Sequence, residues 1–309
     1  MRCLVTGATG FLGRALISAL KYPVIALVRD LDTYVSAGAK KDRDLDATLC
    51  FGDLSDIPSL ERMLAEYRID TVMHLAAQTE ISVAMADPIG TFESNIRGTW
   101  NVLEACRRQK TKRIIIASSD KAYGRTSPPY REDLSLWPDR PYETSKACVD
   151  LLARTYASGY GMSIATTRCV NLYGPGCLSL STLVPNTIKR VLKGIRPMIR
   201  NGGIMRRDWL YIDDAVDAYL KLAVSDYVGP MNFGSGVGVS VKYMVDTILE
   251  IMHSDLKPTD EVDHHGEIVD QWTDARLARE TLGWKPRFTL EDGLRKCVEW
   301  YSAYFGREA

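Results

Sequence analysis

The chain has 309 residues, of which 39 are basic and 39 acidic, so its formal net charge is zero. This balance does not favour a protein that binds nucleic acid or an anionic membrane surface. Apolar residues make up 46% and charged residues 25%, which is typical of a globular chain with a substantial core. No apolar run reaches the roughly 18 residues of a membrane span, and the N-terminal residues lack a secretory segment, so we expect a cytoplasmic protein.

The first half of the chain alternates short apolar runs with longer amphipathic segments. Strands that alternate with helices form βαβ units, which predicts a parallel sheet covered on both faces. The predicted strands are 3–6, 24–28, 47–51, 71–76, 113–118 and 163–170, and the predicted helices are 11–20, 57–69, 91–109 and 142–160.

The alternation of strand and helix patterns becomes less regular after about residue 172, where glycine-rich loops become frequent. We expect residues 1–171, joined again by about 207–232, to form one domain. Residues 172–206 and 233–309 are then expected to form a smaller mixed lobe. Predicted helices in this second part are 183–194, 213–224, 241–252, 274–284 and 290–305.

A glycine-rich loop lies between the first strand and the first helix. In "VTGATGFLGRAL", Gly7, Gly10 and Gly13 follow a G-x-x-G-x-x-G spacing rather than the usual G-x-G-x-x-G. Glycine allows the positive φ of a tight turn and lets backbone amides approach a diphosphate. Because the N-terminus of the helix adds a partial positive charge, the loop predicts a dinucleotide site.

The end of the second strand bears on the choice of cofactor. An acidic residue there binds the ribose hydroxyls of NAD, whereas an arginine accommodates the phosphate of NADP. Arg29 precedes Asp30, which favours NADP, and the alternative is NAD with its ribose on Asp30. Asp53 follows the third strand, where it either meets the adenine amine or caps the next helix.

Tyr142 and Lys146 stand four residues apart at the start of a predicted helix, which places them on one face. A phenol has a pKa of about 10, which is too high for a base at neutral pH. A nearby ammonium and a cationic nicotinamide favour the phenolate. The pair is therefore predicted to remove a proton from a sugar hydroxyl while hydride leaves the same carbon.

Nine segments in chain order, among them "TGATGFLG", "HLAAQ", "SSDKAYG", "YETSK" and "RRDWLYIDD", resemble the extended short-chain dehydrogenase/reductase family of nucleotide-sugar epimerases and dehydratases. The resemblance implies an α/β fold, with a doubly wound Rossmann sheet and a smaller C-terminal mixed α/β lobe that binds a nucleoside-diphosphate sugar. It also implies bound NAD or NADP, and a homodimer through a four-helix bundle of helices near 93–108 and 143–158. The cofactor residues expected on this basis are Gly7, Thr9, Gly10, Phe11, Leu12, Gly13, Arg29, Asp53, Leu54, Leu75, Ala76, Ala77, Gln78, Asn95, Ser118, Tyr142 and Lys146.

The segment "SSDKAYG" is similar to the S-T-D-E-x-Y-G pattern of 4,6-dehydratases. In that pattern a Ser or Thr orients the substrate, an Asp protonates the departing C6 hydroxyl and a Glu removes the C5 proton. Ser119 and Asp120 match, but Lys121 stands in place of the glutamate. This triplet resembles the CDP-glucose and inverting UDP-N-acetylglucosamine 4,6-dehydratases, and Lys121 is expected to act either as base or as a cation that stabilises the enolate.

Further residues are expected on the substrate side. Asn171 is expected near the sugar or diphosphate, and Leu183 and Val184 near the nucleotide base. Arg207 and Arg276 fit diphosphate binding because guanidinium groups suit phosphate oxygens. The expected substrate residues are Gln78, Ser119, Asp120, Asn171, Leu183, Val184, Arg207 and Arg276.

The resulting prediction is a nucleotide-sugar 4,6-dehydratase with Tyr142, Lys146, Ser119, Asp120 and Lys121 as its catalytic residues. It oxidises C4 of a nucleoside-diphosphate hexose, eliminates water across C5 and C6, and returns hydride to C6. The chain is shorter than typical 4,6-dehydratases, which keeps a C4 epimerase or 4-keto reductase open. A third alternative is a cofactor-binding regulator without turnover.

Neither the cysteines nor the histidines indicate a metal site. The seven cysteines are scattered without a C-x-x-C pair, and we expect reduced thiols. His74 is expected to be a hydrogen-bonded buried residue. His264 and His265 form a loop pair in "DHHGE", and no metal is expected there.

Overall fold

The computed structural model describes residues 1–32, 45–262 and 268–306, so His264 and His265 lie outside the described residues. The strands are β1 Cys3–Thr6, β2 Val24–Val28, β3 Thr48–Phe51, β4 Thr71–His74, β5 Arg113–Ala117, β6 Ile164–Cys169, β7 Asn171–Tyr173, β8 Met198–Arg200, β9 Arg206–Arg207, β10 Trp209–Tyr211, β11 Gly229–Phe233, β12 Val239–Ser240, β13 Thr259–Glu261 and β14 Asp270–Gln271.

Helices connect most of these strands. They are α1 Phe11–Ala19, α2 Ile57–Glu66, α3 Ile81–Ala86, α4 Pro88–Phe92, α5 Gly98–Arg108, α6 Pro141–Tyr160, α7 Leu183–Leu192, α8 Ile212–Ala223, α9 Val241–Ile251, α10 Arg276–Leu282 and α11 Leu290–Gly306. Within the described ranges, none of them combines the length and apolar character needed to cross a membrane.

The main sheet has seven parallel strands in the order β3-β2-β1-β4-β5-β6-β11. The predicted α/β fold with a doubly wound parallel sheet is therefore confirmed. The strand order reverses between β1 and β4, and sheets of this kind bind ligands at the carboxyl ends of the strands beside such a reversal. The glycine loop follows β1, and the residues from Leu75 onward follow β4, so both lie at this point.

Burial on both faces explains the apolar character of the central strands. Every residue of β1, β2, β4 and β6 is buried, whereas Thr48 and Phe51 of the edge strand β3 are exposed. Parallel strands that are covered on both faces have continuous apolar sequences instead of an alternation of apolar and polar residues. One helix layer contributes Leu16 and Tyr219 to the core, and the other contributes Leu103.

Two elements from the second half of the chain, α8 and β11, pack against or join the main sheet. Helix α8 packs against β5 and β6, and β11 pairs with β6. The other C-terminal elements form short sheets, β7 with β10, β9 with β12 and β14, and β8 with β13. Helices α7, α9 and α11 pack around a separate apolar cluster that contains Ile188, Ile248 and Leu294.

The predicted helix 91–109 is interrupted. Helix α4 ends at Phe92, a π-helical turn spans Glu93–Arg97, and α5 begins at Gly98. The π turn holds Asn95, which is 1% exposed. Such turns are rare within helices and frequently occur at functional sites.

Candidate active site

A long cleft runs along the carboxyl ends of the sheet strands and continues beneath α7 and β8. It brings together most of the residues predicted from the sequence. Those that line it are Gly7, Thr9, Gly10, Phe11, Leu12, Gly13, Arg29, Asp53, Leu54, Leu75, Ala76, Ala77, Gln78, Ser118, Ser119, Lys121, Tyr142, Lys146, Asn171, Leu183 and Arg207. The predicted residues that do not line it are Asn95, Asp120, Val184 and Arg276.

The glycine loop lies in close contact with the segment that follows β4. Gly7 has a φ of +69°, and a Cβ on it would lie 2.7 Å from the backbone nitrogen of Ala76. A Cβ on Gly13 would lie 2.2 Å from the carbonyl oxygen of Gly7. Gly10 is the N-cap residue of α1 and has no side chain, so no side-chain oxygen caps the first amides of this helix. These features fit a dinucleotide diphosphate, which needs close backbone approach and amide donors.

The far end of the cofactor region carries charges of both signs. Arg29 and Asp53 both line the cleft. Two hydrogen bonds from Ser55, and after them the nearby Arg29 charge, lower the pKa of the Asp53 carboxyl. The alternative that Asp53 caps the next helix is wrong, because the N-cap of α2 is Asp56, whose carboxylate accepts from the Ser59 amide at 3.0 Å.

Tyr142 and Lys146 lie together in the first turns of α6. The Lys146 Nζ lies 5.9 Å from the centre of the Tyr142 ring and donates to the carbonyl oxygen of Ala117 at 2.7 Å. Burial lowers the pKa of Lys146 to about 8. Burial also raises the pKa of Tyr142 above its usual value, although a hydrogen bond with Ser119 acts in the opposite direction.

The protein alone therefore does not produce the low phenol pKa that the sequence predicted. Burial is the largest influence on the pKa of both side chains, and it disfavours the charged form of each. An oxidised nicotinamide, when bound, supplies both a further positive charge and a hydride acceptor.

The segment after β5 forms a short 3-10 turn, Asp120–Tyr123. The Ser119 Oγ donates to the Asp120 carboxylate at 3.0 Å and accepts from the Lys121 amide at 3.2 Å. The Lys121 Nζ donates to Asn171 Oδ1 at 2.9 Å and lies 3.5 Å from Asp120 Oδ1. Asp120 itself is fully buried, and its Oδ2 has no hydrogen-bond partner among the described residues. Its carboxyl group therefore reaches the cleft through Ser119 and Lys121 rather than directly.

A buried polar network supports this turn from below. The Ser118 hydroxyl donates to the Asp150 carboxylate, which forms a 3.2 Å ion pair with Arg168. Arg168 donates to the Tyr123 hydroxyl at 2.8 Å, and that hydroxyl donates to Asn232 at 2.9 Å. The network joins α6, β6, β11 and the 3-10 turn, so it fixes the position of Ser119, Asp120 and Lys121. The sequence analysis missed Asp150 and Arg168, although the arginine inside an apolar strand was a visible signal.

Asn95 positions other residues instead of lining the cleft. Its Oδ1 accepts from the Gln78 amide at 2.7 Å, and its Nδ2 donates to the Ser145 hydroxyl at 2.9 Å. The π turn thus ties the cleft-lining segment after β4 to the helix that carries Tyr142. Next to it, His74 bonds Thr6 Oγ1 at 2.7 Å and Thr99 Oγ1 at 3.0 Å, so its prediction as a hydrogen-bonded buried residue is confirmed.

Only some of the residues that were expected to bind the substrate line the cleft. Asn171, Leu183 and Arg207 line the cleft. Val184 instead packs in the apolar cluster with Ile188 and is 2% exposed. Arg276 lies outside the cleft and forms a 2.7 Å ion pair with Asp274, so the geometry does not support its predicted contact with a diphosphate.

Three cleft-lining side chains that the sequence analysis missed have a buried polar atom without a partner in the described part of the chain. They are Glu143, through Oε2, Trp209, through Nε1, and Gln271, through Nε2. Buried polar groups are nearly always hydrogen-bonded in folded proteins. These atoms therefore indicate where a ligand supplies the missing partner.

A sequence model of the NAD dependent epimerase/dehydratase family matches residues 3–232. The chain belongs to this family. The predicted family resemblance and the predicted nicotinamide cofactor, NAD or NADP, are thereby confirmed.

The curated relatives include dTDP-glucose 4,6-dehydratases. The enzyme of that name from Mycolicibacterium smegmatis is 32% identical, over 98% of this chain and 94% of its own length. A dTDP-glucose 4,6-dehydratase from Escherichia coli is 30% identical, over 97% of this chain and 92% of its own.

The similar solved structures include both activities of the family. A UDP-glucose 4-epimerase from Thermotoga maritima with UDP-glucose has a TM-score of 0.92 and 28% identity, covering 99% of this chain and 100% of that one. A dTDP-glucose 4,6-dehydratase from Streptomyces venezuelae with NAD bound has a TM-score of 0.89 and 26% identity, covering 99% and 98%.

Proposed function

We propose that the protein is a nucleotide-sugar 4,6-dehydratase. The observation that carries the proposal is the buried Asp120 carboxyl, which connects to the cleft through Ser119 beside Tyr142. A 4,6-dehydratase needs a proton donor for the departing C6 hydroxyl, whereas a C4 epimerase needs none. The curated relatives named dTDP-glucose 4,6-dehydratases support the same reaction.

The proposed roles follow from the geometry. Tyr142 takes the proton from the C4 hydroxyl, and Lys146 stabilises the phenolate that it needs for this. Once C4 is a ketone, loss of the C5 proton leaves an enolate, which the nearby Lys121 ammonium stabilises. Asp120 provides the proton for the C6 hydroxyl, and the Ser119 hydroxyl carries it to the cleft. Water leaves, and a 4-keto-5,6-ene remains. It becomes a 4-keto-6-deoxy sugar when C6 receives the hydride that was removed from C4 and C5 receives a proton.

Binding is proposed along the rest of the cleft. The glycine loop holds the cofactor diphosphate, and Arg29 favours NADP over NAD by its charge at the ribose end. On the other side, Arg207 neutralises the substrate diphosphate, Asn171 contacts the sugar or diphosphate, and Leu183 contacts the nucleotide base.

Product mass tests the proposal. The purified protein is incubated with dTDP-, UDP-, GDP- and CDP-hexoses, and we expect one of them to lose the mass of one water. Asp120→Asn removes the acid while keeping the shape of the side chain, so we expect ketone formation at C4 to continue and water loss to stop. If Asp120→Asn eliminates water at the wild-type rate, the acid role is wrong.

A C4 epimerase is the second candidate. The TM-score of 0.92 to a UDP-glucose 4-epimerase favours it, and the same Tyr142–Lys146 pair serves both reactions. An isobaric product with a changed retention time would support the epimerase, and a 4-keto reductase would consume a supplied 4-keto sugar. Absence of conversion across the whole panel, with intact cofactor binding, would favour a regulator.

We also propose a homodimer built on α5 and α6. Trp100 and Leu151, which are 42% and 48% exposed, lie on these two helices and offer apolar surface for a four-helix bundle. A cytoplasmic location is proposed as well, because all seven cysteines are free thiols, which a reducing compartment preserves.

A further inference from the structure

Glu143 is a buried carboxylate in the cleft that has no role in the scheme above. It directly follows Tyr142 in the first turn of α6, lines the cleft, and is 4% exposed. Its Oε2 is buried without a hydrogen-bond partner in the ranges that the structure describes, while the backbone amide of Asp139 hydrogen-bonds the carboxylate. The carboxylate thus has one backbone partner in the segment before α6, and its Oε2 is available to a ligand.

The proposed elimination needs a base that removes the C5 proton. The other side chains that could serve as this base are held by other partners, needed for another step, or protonated. The Lys121 Nζ donates to Asn171 Oδ1 at 2.9 Å and to Asp120 Oδ1 at 3.5 Å, so it is already engaged with two acceptors. Tyr142 is required at the C4 hydroxyl. Burial raises the pKa of the cleft-lining Cys169 thiol to about 12, so it stays protonated at neutral pH.

The surroundings of Glu143 suit a base. Burial raises the pKa of its carboxyl, which makes the ionised form a better proton acceptor. The charged groups that act on it are Asp139 and Arg140 from the segment before α6 and Lys121 from the 3-10 turn. Burial raises the pKa of the Tyr130 phenol, and the charges of Asp120 and Glu143 act on that pKa in the same direction.

We propose that Glu143 is the base that removes the C5 proton, and that it replaces the glutamate absent at position 121. This inference rests on the proposed dehydratase function. Starting from the C4 ketone, the C5–H bond breaks, its proton moves to Glu143 Oε2, and its electron pair forms the C4–C5 double bond of an enolate. Collapse of the enolate forms the C5–C6 double bond and expels the C6 hydroxyl as water with the proton from Asp120. Glu143 then returns its proton to C5 when C6 is reduced.

Glu143→Gln tests this assignment in D2O with dTDP-glucose, or with whichever hexose the wild type dehydrates. The amide oxygen of Gln retains an acceptor for the Asp139 amide, so this hydrogen bond is preserved. We expect the rate of water loss to fall by about 10²- to 10⁴-fold. Deuterium at C5 of the recovered sugar, read by NMR, should disappear, while the absorbance of reduced nicotinamide still develops.

Glu132→Gln is the matched control. Glu132 is also partly buried with a raised pKa, but it accepts from the Asn232 amide at 2.8 Å and does not line the cleft. This variant should keep both water loss and C5 deuteration. If Glu143→Gln does not fold, Glu143→Ala with added formate replaces it, and formate should restore C5 deuteration.

The outcomes separate this inference from the function on which it rests. If the wild type dehydrates and Glu143→Gln retains C5 deuteration, while Lys121→Met loses it, Lys121 is the base and the inference is overturned. Loss of ketone formation in Glu143→Gln would also overturn it, because the residue would then act before the C5 step. If the wild type loses no water from any hexose, the proposed function fails and takes this inference with it.

Discussion

Tyr142, Lys146 and His74 lie at the carboxyl ends of β4 and β5, where burial shifts each pKa toward the neutral form of the side chain. Sequence spacing predicted the meeting of Tyr142 and Lys146, because four residues span one turn of a helix. It did not predict how burial and neighbouring charges together set the pKa of each side chain, because this depends on how the surrounding elements pack. The same holds for Asp120, whose depth below the cleft is set by the 3-10 turn rather than by its position in the sequence.

His74 predicts a pH dependence of stability. Burial lowers its pKa to about 3, so the folded state keeps a neutral ring between two threonines, whereas the unfolded chain binds a proton near pH 6.5. The stability it contributes is present above pH 6.5 and is lost as the pH falls toward about 3. Between pH 7 and pH 5 we expect the free energy of unfolding to fall by about 2 kcal/mol from this group.

Denaturant unfolding at the two pH values measures this loss. His74→Gln removes the titrating ring, so the variant should lose about 2 kcal/mol less than the wild type over the same interval. Equal pH dependence in the two proteins would show that His74 is not held neutral.

Gly7 predicts a strict requirement in the cofactor loop. A Cβ there meets the backbone of Ala76 at 2.7 Å, and the positive φ strains any other residue. We expect Gly7→Ala to weaken NAD binding by about tenfold or more, which is roughly 1.4 kcal/mol. The control is Gly159→Ala, where a Cβ has no atom within 4 Å, and fluorescence titration with NAD measures both. Wild-type affinity of Gly7→Ala for NAD would show that the glycine loop does not hold the cofactor in the proposed way.

At the scale of elements, two irregular segments position the side chains to which we assign catalytic roles. The π turn of Glu93–Arg97 turns Asn95 toward Gln78, and the 3-10 turn of Asp120–Tyr123 sets Lys121 against Asn171. Regular strands and helices were predicted because their apolar periodicity is local. These turns were not, because they are stabilised by contacts with residues distant in the sequence.

The buried pair of Asp150 and Arg168 predicts a large stability effect. Their side chains are 4% and 6% exposed, so removing the cation leaves an uncompensated carboxylate in the interior. We expect Arg168→Met to lower the free energy of unfolding by about 3–5 kcal/mol. Arg206→Ala breaks an exposed pair with Asp270 and should cost about 1 kcal/mol or less in the same denaturant experiment. Equal costs for the two variants would rule out a structural role for the buried network.

At the scale of the whole molecule, the cleft joins a cofactor region on the main sheet with a substrate region on the C-terminal elements. The parallel sheet was predictable because βαβ alternation leaves few topologies. The C-terminal short sheets were not, since strands of two or three residues carry no periodic pattern. The misplacement of Val184 and Arg276 follows from this, and the division into 1–171 with 207–232 and the remaining residues stays a prediction.

The proposed dimer makes its own prediction at this scale. Trp100→Glu combined with Leu151→Glu places charges on the exposed apolar faces of α5 and α6. We expect sedimentation analysis to show a dimer for the wild type and a monomer for the double variant. Val224→Glu with Val228→Glu, at exposed positions outside α5 and α6, tests whether added charge alone has this effect. A dimer that persists in Trp100→Glu/Leu151→Glu would place the interface elsewhere.

The proposed dehydratase moves hydrogen from C4 to C6 of a nucleotide hexose while water leaves. A hexose deuterated at C4, attached to the nucleotide that the panel selects, tests this transfer when the product is examined by NMR. We expect a 4-keto-6-deoxy product with the deuterium in its C6 methyl group. A product that retains the deuterium at C4 would show that no such transfer takes place.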